Sequence, residues 1–143
     1  MQKASAYEWR GRIFLHAFSK TSGGGPWVLG PPVLAADPRD PAELGRAILS
    51  ALAGSKEGVP HPSNWDELLA PLMKLTGAKS SSAFENSARC VGIMYQDGHV
   101  TFTPKRNFGA RNGYQPLKEK DRTSLPDVTE LGATLLAAFE DAE

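Results

Sequence analysis

Hydrophobic positions in this chain switch from a period of two to a period of three or four, and they do so twice in the same order. From Tyr7 to Ser19 apolar side chains fall on both faces of an extended segment, Ile13, Leu15 and Ala17 on one and Phe14 and Phe18 on the other. A strand apolar on both faces is expected in the middle of a sheet. Arg10-Gly11 interrupts this segment, as Asp97-Gly98 interrupts a second one. Asp-Gly between extended runs is a strong signal for a tight turn, so hairpins are expected at 5–19 and 89–104. Cys90 belongs to the second hairpin and is expected to fill the core beside Val91 and Ile93.

Helical periodicity follows each hairpin. Asp40 is placed to cap a helix, Pro41 suits its first position, and Glu43 lies near its positive end. Leu44, Ala47, Ile48, Ala51 and Leu52 then trace one buried stripe that stops at Gly54. The final helix repeats the design, with Asp127 as cap and Leu131, Leu135, Ala138 and Phe139 inward. Both helices should lie on the sheet.

A single shift of 87 residues superposes the two patterns without a gap: Gly11 on Gly98, Trp27 on Tyr114, Asp40 on Asp127, and Glu43-Leu44-Gly45 on Glu130-Leu131-Gly132. The expected fold is therefore α+β, one domain over 1–143, with a largely antiparallel sheet built from two similar hairpin-strand-helix units at 5–55 and 89–142. The segment 56–88 has no counterpart and reads as an insertion. Gly58-Val59-Pro60-His61-Pro62 opens it as a rigid loop, and Trp65, Leu68, Leu69, Leu72 and Leu75 mark a helix interrupted at Pro71. Gly77 ends that helix, and a short helical turn is expected at 80–86.

The third stretch of the two units differs. Trp27-Val28-Leu29 and Val33-Leu34-Ala35-Ala36 are apolar, broken or bent at Gly30-Pro31-Pro32, and expected to be buried. The counterpart from Tyr114 to Arg122 is strongly polar and follows a basic loop, Lys105 to Gly113, that carries Phe108. This is either a charged edge strand that resists aggregation or a recognition surface. Arg106, Asn107, Arg111, Tyr114, Lys118 and Glu119 are the contact candidates on that surface.

Composition removes several function classes. Lys plus Arg and Asp plus Glu are 16 each, so no net field favours wholesale binding to nucleic acid or an anionic membrane. One cysteine excludes an internal disulfide and fits a reducing cytosol, and no apolar leader or membrane span is apparent. His16, His61 and His99 lie on a strand, in a proline loop and at a turn edge, without metal-ligand spacing, so no metal or cofactor is expected. Ser80-Ser81-Ser82 lacks a nucleophile elbow. No catalytic constellation emerges.

Gly58-Val59-Pro60-His61-Pro62-Ser63-Asn64-Trp65, Leu68-Leu69 before Pro71-Leu72, Lys79-Ser80 before Phe84, Phe102 and Pro104, and Asn107 to Tyr114 together resemble the contact-dependent growth inhibition immunity proteins of Gram-negative bacteria. The two Glu-Leu-Gly helix starts are similar to that family as well, and the resemblance spans almost the whole chain. It departs at Ser81, where relatives are expected to carry tryptophan. The resemblance implies a cytoplasmic, non-enzymatic antidote that binds the cognate C-terminal toxin domain of a cell-surface effector, in a 1:1 complex with homodimerisation left open. It also implies a nuclease toxin. A nuclease inhibitor commonly offers carboxylates, so either Asp127, Glu130, Glu140, Asp141 and Glu143 form a local acidic patch or binding lies outside the active site. The rival readings are a single-stranded nucleic-acid-binding module and a small hydrolase using Cys90 or His61.

Overall fold

Period-two segments become strands and the capped stripes become helices. The computed structural model describes residues 1–33 and 37–143. In chain order the first half holds β1 (Gln2–Trp9), β2 (Arg12–Thr21), β3 (Trp27–Val33), α1 (Pro41–Ala53) and β4 (Glu57–Val59). The insertion continues with a 3-10 turn at Trp65–Leu69, then α2 (Ala70–Thr76) and α3 (Ser81–Ser87). The second half holds β5 (Arg89–Gln96), β6 (His99–Asn107), β7 (Tyr114–Pro116), β8 (Arg122–Ser124) and α4 (Val128–Asp141).

Both hairpins close through turns whose two central residues have positive φ, 51° and 75° at Arg10-Gly11 and 54° and 79° at Asp97-Gly98. That geometry matches the twist of the flanking strands. The hairpins join through β1 and β5, giving the sheet order β3-β2-β1-β5-β6-β7, the same three-strand sequence read outward from the middle. Ser5 pairs with Gly92, Ala4 with Ile93 and Ala6 with Val91. Because Ser5 and Gly92 are equivalent under the repeat, an approximate two-fold axis passes through that pair.

One sheet face carries the main core. Ala4, Ala6, Ile13, Leu15, Val91, Ile93, Val100 and Phe102 meet Leu44, Ile48, Ala51 and Leu52 of α1 and Leu131, Leu135, Ala138 and Phe139 of α4. Asp40 accepts from the backbone N–H of Ala42 and Glu43, and Asp127 from that of Glu130. The helices also cross each other closely. A side chain at Gly45 would meet the Val128 backbone, and one at Gly132 would meet that of Pro41. Val128 and Pro41 are themselves repeat equivalents, so the crossing obeys the same two-fold relation.

The insertion covers half of the opposite face. Leu72, Phe84 and Ala88 bury Trp9 and Phe14 there, and Trp9 Nε1 donates to Ser87 Oγ at 2.9 Å. Arg12 donates to the carbonyl of Thr76 at 2.6 Å and so closes the end of α2.

Two expectations need correction, and one pair of alternatives is decided. Cys90 is buried, but strand alternation puts it on the insertion side, next to Ser5 Oγ at 3.3 Å, and not beside Val91 and Ile93. Of the two alternatives at Gly30-Pro31-Pro32, the stretch is bent and not broken: β3 continues through it, with a register irregularity against His16 and Phe18. The proline loop begins with a strand, β4, pairing parallel with β2. The expectation for Leu34 to Ala36 lies outside the described residues. Among the described residues no helix is long and apolar enough to cross a membrane.

Candidate functional site

Because α2 and α3 reach only one end of their face, the other end is an open cleft of about 410 Å³. Its floor is made by side chains of one strand parity: Lys3 on β1, Gly92 and Met94 on β5, and Thr101, Thr103 and Lys105 on β6. Phe18 and Trp27 form one wall, and Pro116, Lys118 and Asp121 the other. Lys3 Nζ sits 4.7 Å from the centre of the Trp27 ring, a cation–π contact. Gly92 has a positional role here, since a Cβ would come within 3.2 Å of Lys105 Cε, and without it the lysine lies flat across β5.

Charge in the cleft is one-sided. Lys3, Lys105 and Lys118 have no ion-pair partner among the described residues, and Asp121 is the sole acid in the lining. The surrounding cations of the edge are neutralised instead. Arg106 pairs with Glu143 at 2.7 Å, Lys120 with Glu143 at 3.1 Å, and Arg122 with Asp141 at 2.9 Å. The hydrogen bonds from Lys120 and Arg106 hold the Glu143 carboxyl below its usual range. The cleft is therefore a local basic surface on a neutral protein.

Beside it, on the same sheet face, lies a buried polar layer. His16 is fully buried, with Nδ1 3.0 Å from the Ala17 carbonyl and Nε2 3.3 Å from the Tyr7 hydroxyl. Burial lowers its pKa to about 4, with a smaller contribution from the charge of Lys105, so the ring is neutral. Burial pushes the Cys90 thiol up, which suppresses thiolate and hence nucleophilicity. His61 and His99 are exposed and far apart in the chain. No group of three metal-binding side chains gathers among the described residues.

The six contact candidates do not form one site. Lys118 lines the cleft. Arg106 is held by Glu143, while Arg111 and Glu119 are exposed on the loop and on the turn after β7. Asn107 faces inward, donating to the carbonyls of Glu85 at 2.8 Å and Ala88 at 3.0 Å and accepting from Gly109 N–H at 2.7 Å. Tyr114 donates to the same two carbonyls, at 3.3 and 3.0 Å. These two residues shape the loop that precedes β7. Lys3, Trp27, Thr101, Thr103 and Lys105 were not singled out by sequence as contacts, although the alternation Val100-Thr101-Phe102-Thr103-Pro104-Lys105 was a signal for a polar open face.

The five acids proposed as a patch are divided as well. Asp127 and Glu130 start α4 and Glu140 and Asp141 end it, roughly 20 Å apart for a helix of 14 residues. Asp141 and Glu143 are engaged with cations.

Comparison with known proteins shows the family and the fold. The sequence profile of the CDI immunity protein family matches residues 2–142. Among solved structures, a protein of unknown function from Neisseria meningitidis is similar over 99% of this chain and 95% of its own, at 20% identity and a TM-score of 0.79. A chain titled as the CdiA-CT/CdiI toxin and immunity complex from Yersinia pseudotuberculosis is similar over 99% of this chain and 97% of its own, at 19% identity and a TM-score of 0.76. At such identities the two likenesses establish the shared fold. No curated protein matches the chain.

Proposed function

The chain belongs to the contact-dependent growth inhibition (CDI) immunity proteins, and from that premise we propose that it binds the C-terminal toxin domain of its cognate effector in the cytoplasm. The complex is 1:1 and inhibition is stoichiometric. The family match over 2–142 carries this reading. The solved similar chain from a toxin and immunity complex supports it, as does a surface that offers a cleft without an activated nucleophile.

The open cleft is the docking face in this reading. Three lysines without an ion-pair partner among the described residues, beside Trp27 and Phe18, suit an acidic segment of the partner that carries an apolar side chain. Lys118 belongs to that contact, with Glu119 and Arg111 at its margin. The toxin is a nuclease, and since nuclease surfaces that hold nucleic acid are basic, an acidic segment would lie outside them. Inhibition then works by a surface beside the substrate path. An interface of roughly 800 Å² per partner would extend well past the cleft.

Growth rescue tests the assignment. Cells expressing the toxin domain encoded beside this chain should grow when the wild-type chain is co-expressed. Rescue should fail or weaken with Lys3→Glu and Lys105→Glu combined, at unchanged protein level. Full rescue by the double variant would remove the cleft from the interface, and absence of rescue by the folded wild type would remove the antidote reading. The lysines and Trp27 also suit a single nucleic-acid strand, a second reading that requires oligonucleotide binding with steep salt dependence.

A further inference from the structure

A second cavity, of about 260 Å³, lies on the same sheet face under the loop from Phe108 to Gly113, and its lining is distinct from that of the cleft. Tyr7, Phe84 and Tyr114 stand around it. The Tyr7 ring is 5.3 Å from Phe84 at 60° and 6.0 Å from Tyr114 at 62°, so the three rings meet as tilted walls and not as a stack. Leu29, Leu69 and Leu72 supply the remaining apolar lining, and Gly109, Ala110 and Gly113 line it from the loop.

Among the described residues, Glu85 is the one acidic residue in this lining. It is half-buried, it has no hydrogen bond or ion pair from its carboxylate among the described residues, and burial raises its pKa. It lines the same cavity as the three rings. The loop above is already fixed. Ala110 N–H donates to Asn86 Oδ1 at 2.7 Å, Gly113 N–H to the Gly109 carbonyl at 2.8 Å, and Asn107 and Tyr114 tie the loop base to α3. A preformed cavity walled by aromatic rings and closed by one carboxylate without a counter-ion has the composition that recognises an organic cation.

We propose that the pocket formed by Tyr7, Phe84, Tyr114 and Glu85 receives a basic side chain, arginine or lysine, of the bound toxin domain. This rests on the antidote reading and adds to it a second contact of opposite sign to the cleft. The two sites together would set orientation: an acidic segment on Lys3 and Lys105, and a basic side chain beside Glu85. A partner with the charges reversed would be rejected at both, which is how charge pattern sorts cognate from non-cognate partners.

The test uses the whole chain and two probes. In calorimetry against the cognate toxin domain, Glu85→Gln should weaken affinity roughly tenfold or more and Glu85→Lys further, with thermal midpoints at or above wild type. In a parallel titration followed by NMR, acetyl-arginine methylamide should shift the Tyr7, Phe84 and Tyr114 ring signals in the wild type and not in Glu85→Gln. Toxin affinity unchanged by Glu85→Gln overturns the proposal while leaving the antidote reading intact. If the wild type fails to bind the toxin domain, the antidote reading fails separately, and the arginine probe alone then supports or overturns a cation pocket.

Discussion

Adding one methyl group at the crossing of α1 and α4 should cost this protein a large part of its stability. At Gly45 the new Cβ would stand 1.7 Å from the Val128 carbonyl oxygen, and at Gly132 it would stand 1.8 Å from that of Pro41. Both obstacles are backbone, so no side chain can rotate away. The helices must part by roughly 1.5 Å at their first turns, pulling Leu44 and Leu131 from a core in which both are fully buried. Overpacking typically costs about 1–3 kcal/mol and occasionally more; against backbone that cannot rotate away the cost lies above that range, about 4 kcal/mol, of which the better helix propensity of alanine returns about 1 kcal/mol. A net loss of about 3 kcal/mol is expected for either Gly45→Ala or Gly132→Ala. Over 143 residues the unfolding entropy is about 0.3 kcal/mol/K, so the thermal midpoint should fall by about 10 °C. Because both contacts lie in one antiparallel crossing, the separation that admits the first methyl also admits the second. The double variant should therefore lose distinctly less than the sum of the singles. Urea unfolding followed by circular dichroism and tryptophan fluorescence measures all three. Either single variant within about 1 kcal/mol of wild type, or a double equal to the sum, would refute the close two-fold crossing.

Other consequences follow from the buried polar layer and the loop. His16 is neutral in the fold with a pKa of about 4, while the unfolded chain takes up its proton near the ordinary value of about 6.5. Stability should therefore fall as pH drops through that window, by about 2 kcal/mol at pH 5 and about 3 kcal/mol near pH 4. Glu85, raised by burial, acts in the opposite direction, and His16→Gln should flatten the fall; a wild-type stability independent of pH between 7 and 5 would contradict the buried ring. Cys90 should react with a thiol reagent at about pH 8 no faster than the protein opens, with a rate that rises with urea, whereas an immediate stoichiometric reaction would show an accessible thiol. Tyr114→Phe should cost about 1 kcal/mol because its hydroxyl holds α3 carbonyls, while Arg111→Ala should leave the thermal midpoint in place. Equal midpoints for these two variants would show that the hydroxyl contributes nothing.

The architecture was legible where local chemistry and periodicity point the same way. Asp97-Gly98 requires positive φ at two positions, and Asp40-Pro41 specifies a capped helix start, so hairpins and helices could be located without a partner in view. The repeat predicted two similar hairpin-strand-helix units in one largely antiparallel sheet, and β1 and β5 join them with the repeat-equivalent Ser5 and Gly92 paired. What could not be read depends on contacts distant in sequence. Glu57–Val59 is too short for a periodic signal and becomes a strand only because β2 offers it an edge. Gly45 and Gly132 stood out as matching letters, but their meaning is the distance between two helices.

The candidate site was less legible for a related reason. Polar loop residues read as exposed, yet Asn107 and Tyr114 spend their polar atoms on the carbonyls of Glu85 and Ala88 at the end of α3. Conversely, Lys3 and Lys105 sit in strands, each beside one apolar neighbour, Ala4 and Pro104, and only the limited reach of the insertion leaves them in an open cleft. Sequence separates the two faces of a strand. It does not say how far along that face a cover extends.

The central claim is that this chain binds a toxin domain through the lysine-bearing cleft, and titration calorimetry of the purified chain with the domain encoded beside it tests this most directly. The account predicts a saturable 1:1 complex whose affinity falls by roughly tenfold or more when Lys3 and Lys105 are both changed to glutamate, with the thermal midpoint of the variant preserved. Heat of dilution alone from two folded proteins, or a complex indifferent to that reversal of charge, would contradict it.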